Sequence, residues 1–340
     1  MGTSGGDLMN AAPLVDRFGR LHTSLRISVT DRCNIRCFYC MPEENVRFKP
    51  RHELLTFEEI ARFTRVMGEL GVCKIRLTGG EPLVRHELHR LVAQISKIES
   101  ITEIALTTNG ILLAEQARQL RDAGLSRVNI SLDALREETF QQISRRPGLD
   151  RVLAGIDAAL AVGFDKVRLN AVAIQGITEA EVVPLVRFAH DRGLEMRFIE
   201  FMPLDAEGNW DQQKVLTGAA IRKLLEDELG PLAAIPREDV SQPAVDFRLE
   251  RGGGVVGFIN PVTQPFCTDC NRLRITAEGQ LRNCLFSTSE WDARALLRSG
   301  ASDAEIAQLV RDCVAAKKAG HGIDSEDFVR PQRAMYQIGG

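Results

Sequence analysis

Three cysteines, Cys33, Cys37 and Cys40, stand in a C-x3-C-x2-C arrangement directly after an apolar stretch at 25–30 that reads as a strand. A structural zinc site closes four ligands around one ion. No fourth cysteine or suitably spaced histidine lies nearby: His22 is upstream and His52 follows a proline-flanked stretch. Thiolates at short loop spacings are instead how cubane iron–sulfur clusters are held. Three thiolates on four irons leave one iron open, and an open position is what catalysis needs. A molecule offering both an amine and a carboxylate would chelate that iron. S-adenosylmethionine offers both, and its sulfonium can accept an electron.

A second trio, Cys267, Cys270 and Cys284, reads C-x2-C-x13-C, again with no fourth ligand. A zinc ribbon lacking one cysteine is the plainer reading, but two trios of the same size favour a second cluster with an open iron. Between its members lies Asn271–Arg272–Leu273–Arg274. Arginines at i and i+2 on an extended segment point the same way. Guanidinium donates in bidentate fashion to phosphate, so the pair beside an open iron makes a local anion site. The simpler alternative is that Arg272 and Arg274 only balance the cluster's charge.

The elements that position these groups follow from the apolar pattern. Strands are expected at 25–30, 74–78, 103–107, 127–132, 167–174 and 195–201, with helices at 56–70, 86–98, 114–123, 137–144, 150–162 and 179–192. Thr56 with Glu59 forms a capping-box pattern, and Gly71, Gly124, Gly163 and Gly193 follow helix ends. Six strand–helix repeats imply parallel strands with right-handed crossovers. A barrel and a doubly wound sheet both satisfy this, but unusual residues at all six strand ends favour a barrel. After about residue 205 the rhythm breaks into a helix at 218–229, a hairpin at 245–260 and a last helix at 303–318. The expected organisation is a flexible N-terminus (1–20), a partial barrel (21–210) and a C-terminal α+β region (211–340).

Composition limits the class. A net charge of −3 gives no bulk attraction to nucleic acid or membrane, so any anion site must be local. The Gly- and Ser-rich start has no apolar run, and no stretch approaches the about 18–20 apolar residues of a membrane helix. The chain reads as cytoplasmic. In that compartment its eight cysteines are not a disulfide framework. Cys73 and Cys313, outside both trios, read as small buried hydrophobes.

The cysteine motif, with Tyr39 before its last member, resembles the signature of the radical S-adenosylmethionine superfamily. Gly79–Gly80–Glu81–Pro82 one strand later matches that family's GGEP segment. Over about 18–340 the chain resembles, more narrowly, the GTP 3′,8-cyclase family of molybdenum cofactor biosynthesis. The carrying segments are LRISVTDRCNIRCFYCMP, KIRLTGGEPLVR, LTTNG, VNISLDAL, RFIEFMP, FCTDCNRLRITAEGQLRNCLF and the terminal IGG. This resemblance implies an incomplete (β/α)6 TIM-type barrel, with a C-terminal α+β region carrying a second iron–sulfur cluster. It implies two 4Fe-4S clusters and S-adenosylmethionine as cofactors, held respectively by the two trios and by Tyr39, Gly80, Ser131 and Met202. It implies a lyase that cyclises GTP through a 5′-deoxyadenosyl radical attacking the ribose 3′ carbon. Arg26, Arg76, Thr107, Arg168, Arg272, Leu273 and Arg274 match substrate-binding positions, Arg168 standing where the family more often has Lys. Arg272, Arg274, Gly339 and Gly340 match active-site positions, the glycine pair being a tail that reaches inward. The implied partners are a reductant such as flavodoxin or ferredoxin and the cyclic pyranopterin monophosphate synthase that takes the product, in a monomer or homodimer. The alternative is a peptide-modifying enzyme of the same superfamily with an auxiliary cluster. Such enzymes typically carry more C-terminal cysteines than the three found here.

Overall fold

The computed structural model describes residues 12–323, 325–326 and 328–339. All six expected strands form: β1 (Ser24–Ser28), β2 (Lys74–Thr78), β3 (Glu103–Thr108), β4 (Arg127–Ser131), β5 (Lys166–Ala173) and β6 (Glu195–Glu200). They pair in parallel and in sequence order, each with the next. Between them run α1 (Phe57–Glu69), α2 (Leu88–Ile95), α3 (Leu113–Asp122), α4 (Glu137–Ser144), α5 (Leu149–Val162) and α6 (Glu179–Asp191). The capping box of α1 is present, Glu59 N–H donating to Thr56 Oγ1 at 3.1 Å and Thr56 N–H to Glu59 Oε2 at 2.7 Å. Behind that cap, Ile60, Phe63, Val66 and Met67 are buried at the i, i+3, i+6, i+7 spacing of one helical face.

Strand alternation divides this protein into two environments. Leu25, Ile27, Leu77, Leu106, Val128 and Leu169 belong to the hydrophobic core. The residues of opposite parity, among them Arg26, Arg76, Thr107, Asn129, Arg168 and Arg197, line a cavity inside the curve of the sheet.

The C-terminal chain completes the sheet. It contributes α7 (Gly218–Leu229), β7 (Leu232–Ala234), β8 (Val245–Leu249), β9 (Val255–Ile259), β10 (Arg272–Ile275), β11 (Gln280–Arg282), β12 (Trp291–Asp292), α8 (Ala293–Ser299), α9 (Asp303–Ala315) and α10 (Met335–Ile338). The expected hairpin is β8–β9. Its second strand pairs in parallel with β6, while β10 pairs in parallel with β1. The order is therefore β12-β11-β10-β1-β2-β3-β4-β5-β6-β9-β8-β7 in one open sheet. This is the expected incomplete barrel, widened by one parallel strand on each side. The core is continuous across the change of rhythm near residue 205, since Leu225, Val256, Leu273 and Ile306 join the same cluster as Leu25.

Two expectations change. Residues 14–20 were assigned to a flexible N-terminus, yet Leu14, Asp16 and Arg20 are buried, because Leu14 packs in the core and Asp16 holds Arg20. Cys313 is fully buried as expected, but Cys73, at the mouth of β2, is only half-buried. Among the described residues no helix is long and apolar enough to cross a membrane.

Candidate functional site

Both cysteine trios line the same cavity of about 400 Å³. The first trio sits on the loop after β1, which is fixed from three sides. Its backbone is held to the end of α4, Arg36 N–H donating to Ser144 O at 2.8 Å and Phe38 N–H to Ile143 O at 3.1 Å. Asn109, after β3, donates to Asn34 Oδ1 at 2.7 Å and to Cys33 Sγ at 3.8 Å. The Gly-Gly turn after β2 closes the third side, with Gly80 N–H on Thr30 O and Glu81 N–H on Arg32 O, both at 2.8 Å. Glycine is required there by contact. A Cβ on Gly79 would lie 2.4 Å from the Thr30 oxygen, and one on Gly80 2.3 Å from that of Arg32.

Two buried acids brace this loop. Glu81 accepts from Thr108 Oγ1 and Asn109 N–H at 2.7 Å and from Leu83 N–H at 2.9 Å. Burial nevertheless pushes its carboxyl up to about 7. Asp133 accepts from the Tyr39 hydroxyl at 2.7 Å and Val172 N–H at 2.8 Å, tying the cysteine loop to β5. Burial outweighs those bonds and pushes it up to about 6.

The thiols differ between the trios. Burial pushes Cys33 up to about 11, helped by the charge of Glu81. Cys37 is raised first by burial, then by the charge of Asp133 and the neighbouring thiols, and Cys40 by burial and then Cys33. Three buried thiols that resist joint ionisation suit a metal core, whose positive charge favours thiolate. In the second trio, burial raises Cys267. Burial also acts on Cys270, but the positive charges of Arg272 and Lys317 overcome it and bring the thiol down to about 6. Among the described residues no three His, Cys, Asp or Glu side chains converge as on a single metal ion. Three thiols on one loop, with no carboxylate or imidazole among them, are the donor type that iron–sulfur clusters take.

Between the trios the cavity wall is cationic. Register places Arg274 opposite Arg26 and Arg26 opposite Arg76, three guanidiniums in a row across β10, β1 and β2. Neighbouring strands lie only about 5 Å apart, and like charges directly opposite are destabilising. Burial, followed by the neighbouring arginines, depresses Arg26, and burial does the same to Arg274 and Arg76, each to about 10. Arginine stays protonated in proteins, so the shifts report first how deeply these guanidiniums are buried and second their mutual repulsion; the cations are gathered locally, in a chain of net charge −3.

Of the anticipated positions, Tyr39, Gly80, Thr107, Ser131, Arg168, Met202 and the four arginines Arg26, Arg76, Arg272 and Arg274 all line the cavity. Arg76 Nη1 reaches Thr107 Oγ1 at 3.4 Å, and Arg168 Nε donates to Glu195 at 2.5 Å. Leu273 does not join them. Its side chain is fully buried in the core, because strand alternation turns it away from Arg272 and Arg274. Gly339 lies at the ends of β1 and β2. Its φ of 73° and a would-be Cβ 2.4 Å from Ser28 Oγ require glycine, and its carbonyl accepts from Arg274 Nη1. Gly340 lies outside the described residues.

Sequence reasoning passed over Lys74, Arg127 and Arg197, which also line the cavity. Arg197 is nearly buried, with Nη2 donating to Asp246 at 3.0 Å. Gly257 on β9 leaves room for it, since a Cβ there would lie 3.1 Å from Arg197 Cγ. An arginine between the apolar Met196 and Phe198 in the middle of β6 was the available signal.

Residues 27–189 match the Radical SAM superfamily model, and residues 194–323 match Molybdenum Cofactor Synthesis C. The chain is similar to a GTP 3′,8-cyclase of Rhodopirellula baltica, 53% identical over 330 residues, covering 96% of this chain and 92% of that one. It is also similar to one of Paenarthrobacter nicotinovorans, 46% identical over 344 residues, covering 96% and 97%. Among solved structures, Streptococcus suis SuiB matches with a TM-score of 0.62 at 16% identity, over 94% of this chain and 77% of SuiB, a likeness of fold alone.

Proposed function

We propose, for a chain that belongs to the GTP 3′,8-cyclase family of radical S-adenosylmethionine enzymes, that the cavity lined by both trios carries radical generation at one end and GTP at the other. The protein is an enzyme of molybdenum cofactor biosynthesis, converting GTP to (8S)-3′,8-cyclo-7,8-dihydroguanosine 5′-triphosphate in the first step. Its superfamily uses a 4Fe-4S cluster and S-adenosylmethionine. When bound, these supply the 5′-deoxyadenosyl radical that takes the ribose 3′ hydrogen.

In this reading Cys33, Cys37 and Cys40 hold that cluster, and Tyr39, Gly80, Ser131 and Met202 contact S-adenosylmethionine. Asp133 holds the Tyr39 ring in place, and Glu81 keeps the Gly-Gly turn against the cysteine loop. Arg26, Arg76, Arg274 and Arg272 take the charge of GTP, joined by Thr107, Arg168 and the newly found Arg197, Lys74 and Arg127. Leu273 contributes backbone only. Glu195 and Asp246 hold Arg168 and Arg197 before substrate arrives, so fewer rotamers are frozen on binding. Cys267, Cys270 and Cys284 would hold a second 4Fe-4S cluster, which would supply an open coordination position for the purine. Gly339 orients Arg274 through its carbonyl. A flavodoxin or ferredoxin supplies the electron, and cyclic pyranopterin monophosphate synthase consumes the product.

The row Arg274–Arg26–Arg76 carries the substrate assignment. Like charges in register on neighbouring strands persist where an anion offsets them, and a triphosphate does so. Anaerobic reconstitution is expected to give about eight irons per chain. With reductant, S-adenosylmethionine and GTP deuterated at the ribose 3′ position, 5′-deoxyadenosine should carry the deuterium. Zinc without iron, or unlabelled 5′-deoxyadenosine, would refute the reading.

A further inference from the structure

Lys317 follows α9 and is only 3% exposed. An ammonium at that depth is costly unless each donor is met. Lys317 Nζ donates to Asn283 O at 2.6 Å, to Arg272 O at 2.9 Å and to Cys270 Sγ at 3.8 Å. Those three contacts use its three N–H groups. They also join what the second trio must hold together: the residue before Cys284, the strand that follows Cys270, and the Cys270 sulfur itself.

The segment around Lys317 is braced from the N-terminus. Arg20, fixed by Asp16 at 2.6 Å, donates to the carbonyls of Cys267, Lys318 and Ala319 at 2.7–2.9 Å. The backbone N–H of His321 donates to Cys267. The ammonium is therefore held against Cys270 by covalently distant parts of the chain rather than by its own flexible stem. None of the cavity chemistry assigned above uses it.

We infer that Lys317 is a positioning residue for the second trio, and that its charge and N–H···S contact raise the reduction potential of the cluster held there. The inference rests on reading Cys267, Cys270 and Cys284 as a cluster site. Hydrogen bonds and positive charge at cluster sulfurs stabilise the reduced, more negative state. Other polar partners around a metal site act in the same way, by orienting the ligand and tuning its basicity.

The test uses the full chain with Cys33, Cys37 and Cys40 all changed to Ser, so that only the second trio can hold iron. After anaerobic reconstitution, iron content is measured and the cluster is titrated potentiometrically by electron paramagnetic resonance. Lys317→Met is expected to keep its iron while the midpoint moves negative by roughly a tenfold change in reduced-to-oxidised ratio, ~59 mV for one electron. Lys317→Arg, which keeps the charge, should recover most of that shift. An unchanged midpoint in Lys317→Met at full iron would overturn the inference. Should Lys317→Met lose its iron, retention in Lys317→Arg supports the charge requirement, and loss from both overturns it. Absence of iron from the background chain with Lys317 intact is a different result: it removes the cluster reading itself.

Discussion

Replacing Gly80 with Ala tests the coupling between the Gly-Gly turn and the cysteine loop. The added methyl would lie 2.3 Å from the Arg32 carbonyl oxygen, 2.7 Å from its carbon and 2.9 Å from the Asp31 oxygen. Ordinary contact begins near 3.4 Å, so backbone must separate from backbone by about 1 Å. No flexible side chain is there to yield. The two 2.8 Å bonds that clamp the loop, Gly80 N–H to Thr30 O and Glu81 N–H to Arg32 O, stretch together. Overpacking of this kind costs ~1–3 kcal/mol and each of the two weakened bonds ~0.5–1.5 kcal/mol, for a total of about 4 kcal/mol. Urea unfolding of the metal-free chain should show a lower midpoint at unchanged slope. Because the shift falls on the loop of Cys33, Cys37 and Cys40, about half the iron of the reconstituted enzyme should be lost. The second trio, remote from this turn in sequence and on another strand, should keep its share. Turnover should fall by about 100-fold or more, as expected for a displacement of about 1 Å at reacting groups. Gly80→Ala with wild-type midpoint, full iron and normal 5′-deoxyadenosine formation would refute the argument.

Arg274→Ala and Arg272→Ala should each weaken GTP binding by roughly 10–100-fold, the equivalent of a charge-assisted bond of ~1.5–3 kcal/mol, with iron content unchanged. Calorimetric titration with GTP alongside iron analysis checks this, and loss of iron would assign these arginines to the cluster instead. His22 is buried, and burial followed by the charge of Lys317 depresses its imidazole from 6.5 to about 4. The folded state thus binds the proton less readily than the unfolded one. The contribution is present above pH 6.5 and is lost as pH falls toward 4, by about 3 kcal/mol in total. His22→Gln should flatten that slope in denaturant unfolding across this window, and parallel pH profiles for both proteins would contradict it.

The fold was readable because its signals are local. Six strands and their helices follow from apolar periodicity within windows of a few residues, and α1 starts at the capping box written as Thr56 and Glu59. Leu273 shows where a resemblance and elementary geometry part. The resemblance grouped it with its arginine neighbours, although period-2 alternation already turns its side chain to the opposite face. Arg197 went unnoticed for a related reason. An arginine flanked by Met196 and Phe198 has meaning only once it is known which face of that strand is hollow.

By itself the sequence determined the ligand chemistry. Thiols three and four positions apart in one loop must share a site wherever the loop goes, and Arg272 and Arg274 must share a face of their strand. Tertiary structure alone decided what lies between the trios. The register of Arg274 with Arg26 joins residues almost 250 positions apart, and Asp16, Arg20 and Lys318 meet from opposite ends of the chain. No local window contains such pairings, because they are set by which strand edge remains free once six parallel strands have paired. That free edge of β1 receives β10, and with it the second trio comes to face the first across one cavity.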